Sequence, residues 1–166
     1  DRLIRLMSLS SSPVIVVLGH EAQRIRSGLK QAGTAEFVVN ENYLRGQLSS
    51  LQCGLAAVPS GAEGVLFTLV DRPAVQPATV EAILGRFEQR SAAEKIVLPR
   101  AGGQNGHPVC VSRELIVEFL ALPLGAQARD VIRRHAGATA YVDVEDTGIL
   151  LDVNDPETYR RLVAGG

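Results

Sequence analysis

Lysine is nearly absent from this chain. Only Lys30 and Lys95 stand among its 17 Lys and Arg residues. Arginine therefore carries almost all the positive charge, and its planar fork suits bidentate contacts to phosphate. No run of basic residues occurs and the formal net charge is −1, which argues against nucleic acid as a partner. Cysteine is as scarce. Cys53 and Cys110 lie in apolar stretches without C-x-x-C spacing, so they read as reduced core thiols rather than a disulfide or a metal pair. No apolar run approaches the roughly 20 residues that a membrane helix needs, and no stretch has the form of a signal peptide. The expectation is a cytoplasmic protein with no membrane partner. At 166 residues, 46% hydrophobic and 21% charged, the chain suits one globular domain with a real core.

What is present is a rhythm of apolar runs and amphipathic stretches. Residues 1–8 read as the end of an amphipathic helix, broken at Ser10-Ser11-Ser12-Pro13. Val14–Gly19 reads as a buried strand, Glu21–Ala32 as a helix closed by Gly33, and Phe37–Asn40 as a short strand. Gln47–Val58 keeps Leu48, Leu51, Leu55 and Val58 on a helical stripe. Gly64 to Val70 is an unbroken β-prone run, as in a strand buried on both faces, and it leads to Asp71-Arg72-Pro73. Pro77 then opens a helix with Val80, Ile83, Leu84 and Phe87 at helical spacing.

The second half changes character. Lys95–Pro99 reads as a strand, Arg100–Gly106 as a flexible loop, and His107–Val111 as a returning antiparallel strand. Helices are expected over 113–121 and 126–136, and strands over 139–144 and 148–151. Pro156 opens the last helix, whose packing face is Tyr159, Leu162 and Val163. Alternating strands and helices of this kind predict an α/β domain with a mostly parallel sheet.

Four polar clusters fall at strand ends or loops: Asn42 to Ser50, Asp71-Arg72-Pro73, Gly106-His107-Pro108, and Asp152 to Asp155. Each has an ordinary structural use. Asn42, Ser49 and Ser50 suit turns and caps, Asp155 before Pro156 suits an N-cap, and His107 suits a backbone contact. Asp71 is itself a common kind of turn residue. In open α/β sheets, however, successive strands end on one side, and ligands bind there. A carboxylate in such a place can hold a hard divalent cation over a phosphate-bearing ligand.

The series Gly46-Gln47-Leu48-Ser49-Ser50-Leu51, Asp71-Arg72-Pro73, Gly106-His107-Pro108 and Asp152-Val153-Asn154-Asp155-Pro156-Glu157 resembles the MobA-like nucleotidyltransferases. Within them it is most similar to the molybdenum-cofactor cytidylyltransferase branch. The family's forms are Gly-x-x-Ser-Ser-Leu, Asp-Met-Pro, Gly-His-Pro and Asp-x-Asp-Thr-Pro-Glu-Asp. The resemblance implies a Rossmann-like, doubly wound, three-layer sandwich of the nucleotide-diphospho-sugar transferase type. It implies transfer of a nucleoside monophosphate from CTP, in preference to GTP, to a phosphorylated small-molecule acceptor such as molybdopterin. Pyrophosphate leaves, and Mg²⁺ is the cofactor. Carried over residue by residue, Asp71 matches the metal-binding aspartate and Asn154 completes the metal site, with Asp152 beside it. Gly46, Ser49, Ser50 and Arg72 fall to the nucleotide, and His107 to the acceptor, where it is expected to donate a hydrogen bond.

Two departures stand out. Arg72 replaces the family's Met, and Asn154-Asp155 replaces Asp-Thr. The family's Leu-Ala-Ala-Gly-x-Ser-x-Arg-Met-Gly-x-x-Lys loop has no counterpart in these 166 residues. The expectation is that a first strand and this phosphate loop precede Asp1 in a longer protein. The rival reading is a non-catalytic nucleotide- or partner-binding domain, and a third is a transferase acting on a sugar phosphate.

Overall fold

A computed structural model of the chain describes residues 1–164. The Val163 side chain, expected on the face of the last helix, lies outside the described residues. The helices are α1 (Arg2–Ser8), α2 (Ala22–Gly28), α3 (Gln47–Ala56), α4 (Pro77–Glu88), α5 (Ile116–Leu120), α6 (Ala128–Arg134) and α7 (Pro156–Ala164). The strands are β1 (Ile15–Leu18), β2 (Glu36–Val39), β3 (Gly64–Phe67), β4 (Ile96–Ala101), β5 (Gln104–Asn105), β6 (Val109–Ser112) and β7 (Thr139–Asp143). They fall into two compact units, one of Asp1–Val65 with Ser112–Gly137, the other of Leu66–Val111 with the chain from Ala138 onward. Among the described residues no helix is long and apolar enough to cross a membrane.

In the first unit β1 and β2 pair in parallel, from Ile15↔Glu36 to Leu18↔Val39. Parallel strands need a crossover, and α2 supplies it. The helix is shorter than its pattern predicts. It stops at Gly28, where Leu29 turns to extended backbone, and Ala32–Thr34 form a 3-10 turn. None of its residues is buried, so no packed face carries the helix past a glycine, which is a poor helix former. Of the expected α3 stripe Leu55 is buried, Leu48 and Leu51 are half-buried, and Val58 lies past the helix, which ends at Ala56. From α3, the Gln52 amide donates to the carbonyls of Phe119 and Leu122, both at 3.0 Å. Those carbonyls lie at and just past the C-terminal end of α5, so the amide ties α3 to the end of that helix.

The second unit is built on β4. Parallel β7 runs beside it from Ile96↔Thr139 to Arg100↔Asp143, and antiparallel β6 pairs Ile96↔Val111 and Val97↔Cys110. The sheet order is β3-β6-β4-β5, with β7 on β4. Paired along its length, β4 is buried at nearly every position, the burial on both faces that the run leading to Asp71 is expected to have. That run is ordered as a strand only as far as Phe67; β3 is partly buried throughout, and Val70 is 89% exposed. Ile83 and Phe87 of α4 pack with Val97, Cys110 and Ala140, so the helix covers β4 and its neighbours as its apolar spacing predicts. Burial pushes the Cys110 thiol up to about 12, in keeping with an inert core thiol.

The stretch 100–106 is not a flexible loop. Arg100↔Asn105 and Ala101↔Gln104 pair across a two-residue turn, Gly102-Gly103, with φ of +54° and +81°. Positive φ at both central positions is the mark of the tight hairpin whose twist suits paired strands. The expected strand at 148–151 is a 3-10 turn, Thr147–Leu150. Its four residues are held at the front by the Asp146 carboxylate, which accepts from the Gly148 N–H at 2.9 Å.

Candidate functional site

In the first unit the loop after β2 and the start of α3 form one polar cluster. Buried Asn40 donates through its amide to Ser49 Oγ at 2.8 Å and Ser50 Oγ at 3.1 Å. Its own oxygen accepts from the Asn42 N–H at 3.0 Å. Ser49 Oγ donates in turn to the Gly46 carbonyl at 2.8 Å. Gly46 stands at the N-cap of α3 with φ +95°, a backbone that favours glycine. The structure thus brings Gly46, Ser49 and Ser50 together, and their hydroxyls serve to hold the loop. Asn40, which organises them, ends a strand in the sequence and carried no motif signal.

In the second unit Asp71, Arg72, His107, Asp152 and Asn154 are drawn into one neighbourhood by backbone contacts. The Val153 N–H donates to the Asp71 carbonyl at 2.7 Å, which brings the segment carrying Asp152 and Asn154 against the Asp71 backbone. Arg72 Nε pairs with Asp152 Oδ1 at 2.7 Å, and Arg72 Nη1 donates to the Ile149 carbonyl at 3.0 Å. The His107 N–H donates to the same carbonyl at 3.1 Å. The carbonyl oxygen of buried Ile149 is therefore the common anchor of Arg72 and His107.

Gly106 makes this possible. A Cβ there would lie 2.5 Å from the Ile149 carbonyl oxygen and 2.7 Å from Ile149 Cβ. The glycine of Gly-His-Pro lets the 147–150 turn approach, rather than a ligand. That turn is fixed by Asp146, a buried carboxylate with three donors: the Gln76 N–H at 2.9 Å, Thr79 Oγ at 2.7 Å, and the Gly148 N–H. Gln76 is the N-cap of α4 but makes no side-chain cap of its own. Asp146 caps that helix from about 70 residues away. The only hint in the sequence was the Asp-Thr-Gly run, a turn signature without a stated function.

Against this satisfied carboxylate, Asp71 is the contrast. Its Oδ1 is buried with no hydrogen-bond partner, and so are Thr68 Oγ1 and His107 Nδ1. Among the described residues, every buried side-chain oxygen or nitrogen without a hydrogen bond belongs to Thr68, Asp71, Arg72 or His107, and Arg72 has its ion pair. An unpaired buried polar atom costs about 1–3 kcal/mol. Several in one stretch mark a place that a ligand completes.

His107 lies edge-on to Phe67, with ring centroids 6.3 Å apart. Burial holds its pKa below the usual value, and the Arg72 charge adds to this; a hydrogen bond to the Phe67 backbone and the charges of Asp71 and Asp152 act the other way. Its Nδ1 is buried and has no hydrogen-bond partner, so this nitrogen is open to a ligand.

A divalent cation fits the residues present. Asp71 Oδ1 is a buried carboxylate oxygen without a partner. Among the described residues no three His, Cys, Asp or Glu side chains are grouped to hold a metal. Such a sparse set suits an ion that takes one or two protein oxygens and fills the rest of its shell with phosphate and water.

Residues 1–139 match the MobA-like NTP transferase domain. The molybdenum cofactor cytidylyltransferase of Escherichia coli K12 is 23% identical over 148 residues, which cover 89% of this chain and 72% of that protein. Rv0371c from Mycobacterium tuberculosis H37Rv superposes with a TM-score of 0.77 at 25% identity, covering 98% of this chain and 82% of that one. Its manganese complex gives 0.75 at 27%, covering 99% and 85%. A nucleotidyl transferase from Methanothermobacter thermautotroptrophicus shares the fold, with a TM-score of 0.76 at 20% identity, 99% of this chain and 80% of that one. The fold is α/β, of the nucleotide-diphospho-sugar transferase type. With the family model matched over residues 1–139, the chain belongs to the MobA-like NTP transferase domain family.

Proposed function

We propose that this nucleotidyltransferase moves CMP from CTP to a phosphorylated pterin of the molybdopterin type, in the cytoplasm and with Mg²⁺. An acceptor phosphate oxygen attacks the α-phosphorus, the bond to the β-phosphate oxygen breaks, and pyrophosphate leaves with the displaced electron pair. The acceptor monoester is already ionised, so no side chain is needed as general base. Asp71 would hold the cation, with the Asn154 amide oxygen and Asp152 beside it. Bound there, the cation would neutralise phosphate oxygens as charge shifts to the leaving group.

The chain's own residues supply positioning. Arg72, tethered to Asp152 and the Ile149 carbonyl, keeps a positive charge next to Asp71 for the nucleotide's phosphates. Gly46, Ser49 and Ser50 fall to the nucleoside end. His107, whose Nδ1 is left without a partner, falls to the acceptor, where it donates a hydrogen bond to phosphate or pterin. The single observation that carries the reading is the buried, unpartnered Asp71 oxygen. Support for CTP and for the pterin comes from the likeness to the Escherichia coli cytidylyltransferase.

The test is pyrophosphate release by the intact protein with molybdopterin cofactor and either CTP or GTP. CTP should be preferred, and Asp71→Ala should lower turnover by about 100-fold or more, as loss of a preorganised electrostatic group does, with the fold intact. Preference for GTP would replace the cytidylyl assignment by a guanylyl one. Asp71→Ala activity within tenfold of wild type would remove Asp71 from the metal site.

A further inference from the structure

Thr68 carries a polar group that the proposed reaction leaves unused. The residue is half-buried, and its hydroxyl oxygen is shielded with no hydrogen-bond partner. Elsewhere in this unit a buried carboxylate is satisfied: Asp146 has three donors. Among the described residues the unpaired buried atoms are those of Thr68, Asp71 and His107, Arg72 having its ion pair. Thr68 precedes the turn that carries Asp71, in which the Arg72 N–H donates to the Leu69 carbonyl at 3.1 Å. Three peptide units keep their Cα atoms within about 11 Å.

No protein group is hydrogen-bonded to the hydroxyl. The Arg72 guanidinium is held by Asp152 and the Ile149 carbonyl, and the Asp71 backbone carbonyl by the Val153 N–H. What remains is a donor brought in from outside. With no three-ligand group among the described residues, a cation at Asp71 keeps several of its waters, and each bound water presents polarised O–H groups. A neutral, unpartnered hydroxyl three residues before the ligating carboxylate is a fitting acceptor for one of them.

We propose that Thr68 Oγ1 is a positioning contact for the divalent cation held by Asp71, accepting a hydrogen bond from a water of its shell. This rests on the reading of Asp71 as the metal-holding residue. The role is that of an outer partner, of the sort whose loss weakens metal affinity about 10- to 100-fold. Thr68→Val keeps the shape and deletes the hydroxyl, whereas Thr68→Ser keeps the hydroxyl.

The experiment is a titration of the intact protein with Mn²⁺, followed by electron paramagnetic resonance of the free ion, for wild type, Thr68→Val, Thr68→Ser and Asp71→Asn. The expected result is a loss of about tenfold or more in Mn²⁺ affinity for Thr68→Val. Thr68→Ser should stay within about threefold of wild type, and Asp71→Asn should bind least. The metal-free melting temperature of Thr68→Val should be no lower than that of wild type, since an unpaired buried hydroxyl contributes no stability. If Asp71→Asn loses Mn²⁺ while Thr68→Val keeps it, the Thr68 inference is wrong and the Asp71 reading stands. If Asp71→Asn binds like wild type, the Asp71 reading fails and the inference with it. Equal losses in Thr68→Val and Thr68→Ser would show that the methyl packing matters, not the hydroxyl, and would also overturn the proposal. Should Thr68→Val fail to fold, Thr68→Ala carries the same comparison against Thr68→Ser.

Discussion

Replacing Asp146 by alanine should unfold the chain more readily than any change at the exposed site residues. The carboxylate is 7% exposed and accepts three hydrogen bonds, from the Gln76 N–H, Thr79 Oγ and the Gly148 N–H. Alanine leaves all three donors without a partner in the interior. A hydrogen bond to a charged group is worth about 1.5–3 kcal/mol, and loss of a helix cap costs about 1 kcal/mol. The donors share one carboxylate and do not add in full, so a loss of roughly 3–5 kcal/mol is expected. For a chain of this size that corresponds to about 6–20 °C in melting temperature. Asp146→Asn separates the contributions. Its single carbonyl oxygen can replace Oδ2, which serves Gln76 and Thr79. Its amide then faces the Gly148 N–H, so one bond is lost and a cost of about 1–2 kcal/mol is expected. Urea denaturation followed by circular dichroism measures both. The turn released by these changes carries the Ile149 carbonyl that anchors His107 and Arg72, so activity should fall along with stability. A loss below about 1 kcal/mol for Asp146→Ala would refute the account, because three buried donors cannot be abandoned so cheaply.

Gly106→Ala should cost roughly 1–3 kcal/mol, since the new Cβ would meet the Ile149 backbone oxygen and side chain, and it should raise the acceptor KM with less effect on the nucleotide KM. Unchanged kinetics for both substrates would separate the 149 turn from acceptor binding. At His107 the folded pKa is depressed by burial and by Arg72, so the unfolded chain takes up the proton first. Stability from this group is therefore complete above its unfolded value of about 6.5 and is lost as pH falls below it toward the lower folded value. The stability gap between wild type and His107→Gln should accordingly shrink, or turn against wild type, between neutral pH and about pH 5; a gap that stays constant over that range would contradict a buried neutral ring.

Local chemistry was enough to place the motif-bearing residues. Pro77 starts α4, and Val80, Ile83 and Phe87 turn inward because a helix repeats its faces by local geometry alone. Asp155 caps α7 through the Glu157 and Thr158 N–H groups, as a residue before such a proline does. The matching of Asp71-Arg72-Pro73, Gly106-His107-Pro108 and the 152–157 run to one family was equally legible, since each is a contiguous string. What escaped was decided by partners distant in sequence. The run Gly64–Val70 looks like a central strand, yet the strand paired along both sides is β4, and pairing rather than apolar content decides which strand is buried. Gly106 looks like loop flexibility until Ile149 is found against it. Asp146 looks like a surface turn until Gln76 and Thr79, some 70 residues earlier, are found donating to it. The orphaned oxygens of Thr68 and Asp71 have no local signature at all, because lacking a partner is a property of everything packed around an atom. A sequence specifies which groups can bond; only the tertiary structure decides which of them are left for a ligand.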